Sequence, residues 1–205
     1  DHEELSYDSL FSFVRVTDAG TNNYKNFKAG VDIDAIEDTV LTGAGDDSVD
    51  LSVTGANNNI VLAGSDSDTV FASSDDIISG GNDDDQFFTG SLGDEIGGNR
   101  ISGGAGNDTF FVEGSGDRFL GGAGDDTFFV GEGNNNIFAG GDGADTYIFG
   151  EATAEVNTIV DFEAGIDILQ LDGIADLAAD GDTISSGGVD FLVLVGVEDA
   201  STLLA

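Results

Sequence analysis

Apolar and polar positions in the middle of the chain recur in blocks of nine. Gly103-Gly104-Ala105-Gly106-Asn107-Asp108-Thr109-Phe110-Phe111 is one copy, Gly121-Gly122-Ala123-Gly124-Asp125-Asp126-Thr127-Phe128-Phe129 begins 18 residues later, and Gly140-Gly141-Asp142-Gly143-Ala144-Asp145-Thr146-Tyr147-Ile148 begins 19 after that. The pattern is G-G-x-G-x-D-x-U-x, with U a large apolar residue. A glycine cluster followed by a short run with one inward apolar position predicts a tight turn and a short strand, repeated. We align copies by the acid or amide at position 6 and the apolar residue at position 8. Strong copies fall on Asp47/Val49, Asp68/Val70, Asp85/Phe87, Asp108/Phe110, Asp126/Phe128 and Asp145/Tyr147. Weaker copies lie between them on Asp38/Val40, Asn58/Ile60, Asp76/Ile78, Asn99/Ile101, Asp117/Phe119 and Asn135/Ile137, without the Gly-Gly start. Six weak–strong pairs make the unit a coil of about 18 residues with two strands and two turns. Register breaks at Leu51-Ser52, near Ala72, from Thr89 to Gly93 and at Ala139 are expected to be bulges or small loops.

Strand alternation points position 8 inward and positions 7 and 9 outward. One coil buries too little to stand alone. Stacked about 4.8 Å apart, coils share a continuous apolar core, where each buried Phe or Ile contributes roughly 1.5–3 kcal/mol. Position 9 of the strong copies reads Asp50, Phe71, Phe88, Phe111, Phe129 and Ile148. This outward apolar stripe is either a contact surface for lateral assembly or is covered by a terminal segment.

The flanks differ from the repeat, giving a leader at 1–32, the repeat at 33–148 and a closing module at 149–205. Within the leader, Leu10 to Val16 predicts a strand, Ala19 to Asn23 a turn, and Arg15, Lys25 and Lys28 hold three of the chain's five basic residues. The leader caps the stack or docks on the acidic body of another subunit. Phe191 to Val197 predicts a strand of the closing module.

Charge sharpens this picture. The 205 residues hold 41 Asp plus Glu against 5 Lys plus Arg, a net charge of −36. Such charge often means disorder, but 40% of residues are hydrophobic and Phe occurs 15 times. Five cations cannot neutralise the chain; divalent metal can. Nucleic acid is disfavoured as a partner, since no basic surface exists to release phosphate counterions. Cys is absent, which excludes disulfides and thiolate metal sites. The missing initiator Met points to a processed chain or an excerpt of a longer one. No apolar stretch approaches the length of a membrane span, and no N-terminal run resembles a secretion signal. His2 is the sole histidine, H-E-x-x-H is absent, and the glycine-rich turns lack the Lys-Ser/Thr ending of a phosphate loop. Catalysis by this chain is not expected.

The candidate ligands are all oxygens, which selects calcium over zinc or iron. They are the position-6 carboxylates Asp47, Asp68, Asp85, Asp108, Asp126 and Asp145 of the strong column and Asp38, Asp76 and Asp117 of the weak one. Turn positions Gly80, Asn82, Gly103, Ala105, Gly121, Ala123, Gly140 and Asp142 complete the set through their carbonyls. The strong column is expected to load well. The weak column is expected to bind fewer ions, with Asn58 and Asn135 forming amide ladders; equal loading of both columns is the alternative, since Asn also offers an oxygen.

The in-phase motif resembles the RTX, or hemolysin-type calcium-binding, repeat family. Asn157 to Ile174 resembles the segment that closes RTX β-rolls, and Ser201 to Ala205 their short apolar tail; the likeness covers about residues 33–205. It implies an all-β fold, a right-handed parallel β-roll (β-helix) with a C-terminal β cap. It also implies several bound Ca²⁺ ions, export to the extracellular space or bacterial cell surface, and an uncleaved C-terminal type I secretion signal. The expected function is a secreted structural protein that folds and assembles on calcium into a surface layer, filament or adhesive matrix. Its expected partners are other copies of itself and cell-surface polysaccharide. The alternative is the C-terminal accessory domain of a type I-secreted protease or lipase. A carbohydrate-binding module like that of alginate epimerases is weaker, because an anionic polymer would meet an anionic surface.

Overall fold

The structure is a computed structural model and describes residues 13–15, 39–52, 57–90, 97–171 and 173–204. Each coil contributes one strand to each of two parallel sheets. Sheet A takes β2 (Thr39–Ala44), β4 (Ile60–Ser65), β6 (Ile77–Asn82), β8 (Arg100–Ala105), β10 (Arg118–Ala123) and β12 (Ile137–Asp142). Sheet B takes β3 (Ser48–Asp50), β5 (Thr69–Phe71), β7 (Gln86–Thr89), β9 (Thr109–Val112), β11 (Thr127–Val130) and β13 (Thr146–Phe149). Every pairing between these strands is parallel and joins equivalent repeat positions, as in Phe110↔Phe128↔Tyr147 and Gly104↔Gly122↔Gly141. The result is a β-solenoid of about six turns, the all-β architecture the nine-residue period predicts.

The core lies between the sheets. Phe87, Phe110, Phe128 and Tyr147 stack along the inside of sheet B with centroids 4.6–5.0 Å apart. Phe119 and Phe138 stack at 5.2 Å on sheet A and meet the first column edge-on. In-register pairing brings identical rings to about the inter-strand spacing, where offset stacking adds roughly 0.5–1.5 kcal/mol per pair beyond burial. Outside sheet B, Phe71, Phe88, Phe111 and Phe129 form a second ladder at 4.6–5.2 Å. They are half-buried against one another, and Phe129 is 39% exposed.

Sheet A is extended at both ends beyond the six coils. β1 (Phe13–Arg15), inside the strand expected over Leu10 to Val16, pairs in parallel with β2. Lys25, Lys28 and the rest of the leader lie outside the described residues. At the other end, β14 (Asn157–Ile159) and β15 (Ile168–Gln170) add one strand to each sheet. An antiparallel group, β16 (Leu177–Asp180), β17 (Thr183–Ser186) and β18 (Val189–Leu194), continues sheet A, and a 3₁₀ turn at Ala200–Leu203 follows. Phe162, Ile184, Phe191, Leu192 and Leu194 extend the apolar core over the last coil. The end strands left there, β16 and β15, are only four and three residues long, and short edges offer little template for pairing with other chains.

Two expectations on register need correction. Ile60 and Ile137 are position 7, not position 8: Val61 and Phe138 are the buried residues, and Ile60 is 39% exposed. The weak-column amides are therefore Asn59 and Asn136, both fully buried, while Asn58 and Asn135 sit in the left-handed region at φ 58° and 56°. The extra residue assigned to Ala139 instead falls in the bend before Ile137, since Ala139 pairs in register with Leu120.

Candidate metal centre

The strong bends, 42–47, 63–68, 80–85, 103–108, 121–126 and 140–145, carry the chain from sheet A to sheet B. Their position-2 glycines, such as Gly122 at φ 124°, occupy a backbone region that L side chains rarely adopt. Position 1 is glycine for a different reason. A Cβ on Gly80, Gly103, Gly121 or Gly140 would overlap the Oδ2 atom of Asp85, Asp108, Asp126 or Asp145. At Gly80 and Gly121 it would also lie 2.8 Å and 2.6 Å from the Gly103 and Gly140 carbonyl oxygens of the next coil. Carboxylate and carbonyl therefore converge in the space that the missing side chain leaves.

Each position-6 aspartate spends one oxygen on the stack. The backbone N–H of Asp47, Asp68, Asp85, Asp108 and Asp126 donates to Oδ1 of the next coil's aspartate at 2.7–2.9 Å. Asp145 N–H donates to Asp167 at 3.0 Å. The other oxygen has no such use: Oδ2 of Asp68, Asp85, Asp108 and Asp126 is buried without a hydrogen-bond partner. The position-3 carbonyls keep a lone pair in hand. Ala123 and Asp142, for instance, each accept one N–H, from Gly106 and Gly124, at 2.9 Å.

Burial drives the electrostatics. It pushes the carboxyls of Asp68, Asp85 and Asp126 up to about 7 and those of Asp108 and Asp145 up to about 6. Neighbouring carboxylates add to the rise, and the N–H from the preceding coil opposes it. An unpaired buried charge is costly, so a column of orphaned oxygens needs protons or a cation. No three Asp, Glu or His side chains among the described residues form a metal cage by themselves. An ion between two bends must take two carboxylates and complete its shell with carbonyls, as calcium's flexible, oxygen-only coordination allows. The donor set fits that ion.

The weak edge is built differently. Asp76 is satisfied by hydrogen bonds: Oδ1 accepts from Asn59 N–H and Nδ2 at 2.8 Å and 3.0 Å, and Oδ2 accepts from Ser73 N–H at 2.8 Å. Asn99, Asn136 and Asn157 are buried members of the same ladder. Asp117 is pushed up to about 6 by burial. Asp38 lies outside the described residues.

Three ladder members were not among the expected ligands. Asn157 and Asp167 extend the two columns by one coil, and Asp161 caps the last bend by accepting Gly140 N–H and Gly141 N–H at 3.1 Å and 3.2 Å. Asn157-Thr158-Ile159 and Asp167-Ile168-Leu169 both keep the position 6-to-8 signature. The bend before Asp167 keeps Gly165 but has lost the Gly-Gly start, and the bend before Asn157 lacks that start as the other weak bends do, which hides the phase.

The family model of the RTX calcium-binding nonapeptide repeat matches four copies, at residues 48–76, 72–96, 95–128 and 120–151, together just over half of the chain. The chain belongs to the RTX calcium-binding nonapeptide repeat family. RTX repeats bind Ca²⁺ between successive bends, which is where the orphaned carboxylates stand. Proteins with RTX repeats are typically secreted. Searches of the curated proteins and of the solved structures return no match. Among the described residues, no helix of this RTX chain is long and apolar enough to cross a membrane. A groove of about 500 Å³ lies away from the strong bends, where sheet A meets the weak ones, lined by Thr39, Asn58, Ile60, Asp75, Ile77, Gly98 and Arg100. It offers one carboxylate and no histidine.

Proposed function

We propose that this chain is an exported structural protein that folds on calcium and assembles with copies of itself into an extracellular layer or filament. The column of buried Oδ2 atoms carries the folding half of this reading. Each unpaired buried carboxylate costs several kcal/mol, and four of them outweigh the roughly 5–15 kcal/mol by which a domain is usually stable. Without a divalent ion, the chain stays open and exportable. At the millimolar calcium of the exterior, ion binding drives folding.

The assembly half rests on how charge is distributed. From the second coil to the sixth, the outward positions of sheet B carry the Phe71 to Phe129 ladder flanked by Thr69, Gln86, Thr109, Thr127 and Thr146, with no acid. On sheet A, exposed Ile60, Leu62, Ile77 and Leu120 surround Arg100 and Arg118, which pair in register. A molecule of net charge −36 thus presents two faces from which a second copy is not repelled. An exposed apolar stripe of this kind supports a contact surface.

The test is sedimentation and electron microscopy of the chain with calcium and with chelator, alongside a Phe111→Asp/Phe129→Asp variant. Calcium is expected to produce folded, ordered assemblies, and the variant to fold but stay monomeric. A wild-type chain that folds on calcium and remains monomeric at high concentration would end the assembly reading. The closing strands β14 to β18 fit a second reading equally, an accessory domain of a secreted enzyme. A native polypeptide carrying a hydrolytic domain upstream would favour it.

A further inference from the structure

The two edges share one hydrogen bond and differ in the next. On both, the position-6 N–H of one coil donates to Oδ1 of the next coil's position-6 residue. On the strong edge the second atom of that side chain is, at Asp68, Asp85, Asp108 and Asp126, an orphaned oxygen. On the weak edge, at three coils, it is an amide nitrogen. Asn99 Nδ2 donates to the Ser73 carbonyl at 2.9 Å, Asn136 Nδ2 to Gly114 at 2.9 Å, and Asn157 Nδ2 to Gly133 at 3.0 Å.

Each of those carbonyls lies three residues before the position-6 residue of the preceding coil. It is the counterpart of Asn82, Ala105, Ala123 and Asp142 on the strong edge, whose carbonyls are available to an ion. The asparagine therefore bridges an N–H and a C=O of the coil beneath it, the join that calcium makes opposite. The amide cannot be reversed, because its oxygen must face an N–H donor and its nitrogen a carbonyl. In the gap between Asn59 and Asp76, N–H donors already take both carboxylate oxygens. Among the described residues of this edge, only Asp117 keeps a buried Oδ2 without a hydrogen-bond partner.

Chain length supplies an independent observation. From the start of each sheet A strand to the start of the following sheet B strand is nine residues in all six coils, Thr39 to Ser48 through Ile137 to Thr146. Across the weak edge the same interval runs from 8 residues (Thr69 to Ile77) to 14 (Gln86 to Arg100). A bend that must shape an ion shell has a fixed length. A bend closed by one side-chain amide does not.

We propose that calcium loads one edge of the solenoid, with at most a single ion at Asp117 on the other, and that Asn99, Asn136 and Asn157 hold that other edge in the ion's place. This rests on the calcium-driven folding proposed above. The test is the number of calcium ions per full-length chain, measured by equilibrium dialysis with elemental analysis, together with the calcium midpoint of folding.

Among the described residues, six strong-edge gaps, the last of them with both Asp167 oxygens already holding N–H groups, and the Asp117 gap give at most seven ions. A count of eight or more overturns the proposal, and loading of the five weak-edge gaps as well would give eleven. This count needs no variant. An Asn99→Asp/Asn136→Asp/Asn157→Asp variant is expected to bind up to three more ions and to need more calcium to fold. The same variant with unchanged count and unchanged midpoint overturns the proposal. A chain that binds no calcium overturns the folding reading as well; one that loads both edges overturns this inference alone.

Discussion

At the scale of the residue, the structure turns on where a side chain is missing. Gly121 faces the Asp126 carboxylate and the Gly140 carbonyl, and a methyl group there would overlap the first. Gly121→Ala is therefore expected to cost about 1–3 kcal/mol, as overpacking does, and to raise the calcium needed for folding. Urea unfolding at saturating calcium and a calcium titration followed by circular dichroism check both. Gly150→Ala is the control, since a Cβ there meets nothing within 4 Å; if the two variants behave alike, close approach is not what selects glycine. The strong aspartates were legible in the sequence because glycines fix their phase. The weak amides were only half legible. Asn57-Asn58-Asn59 and Asn134-Asn135-Asn136 fit position 6 in more than one phase, and the apolar residue after each run, Ile60 or Ile137, looked like the inward one. Packing decides the register instead: Val61 and Phe138 complete columns that Ile60 and Ile137 would leave with gaps.

At the scale of the element, one short strand carries two aromatic columns of unequal worth. In β11, Phe128 is fully buried between Phe110 and Tyr147, whereas its neighbour Phe129 points outward. Phe128→Ala should cost about 3–5 kcal/mol, the range for a large buried aromatic. Phe129→Ala should cost about 1 kcal/mol, the worth of a stacked pair. Denaturant unfolding of both variants at saturating calcium measures the difference; equal losses would mean that the outer ladder is covered. Strand alternation made this distinction readable from the sequence. The closing strands were less so. β16 and β17 run antiparallel, and their sequences carry neither the nine-residue period nor its glycines.

At the scale of the molecule, protons and calcium compete for the same oxygens. The strong-edge carboxyls titrate near 6 to 7 in the fold against 3.8 in an open chain. Raised folded-state values mean that proton binding favours the fold. That contribution is complete below about pH 4 and is lost as the pH rises through 6 to 7. The calcium-depleted chain should accordingly show β structure at pH 4 and lose it by pH 8, while the calcium-loaded chain should hold its signal across that range. Circular dichroism on metal-stripped protein measures this. A stripped chain equally unfolded at both pH values would show that buried charge is not what keeps it open.

The constant and variable halves of each coil have one more consequence. Between Gln86 and Arg100 a coil accommodates five residues more than between Thr109 and Arg118 without moving either sheet out of register. Foreign peptides spliced into that margin would be carried as a row of pendants at regular height, like labels on the spine of a stack of books. The mineral seam along the opposite margin would not register their presence.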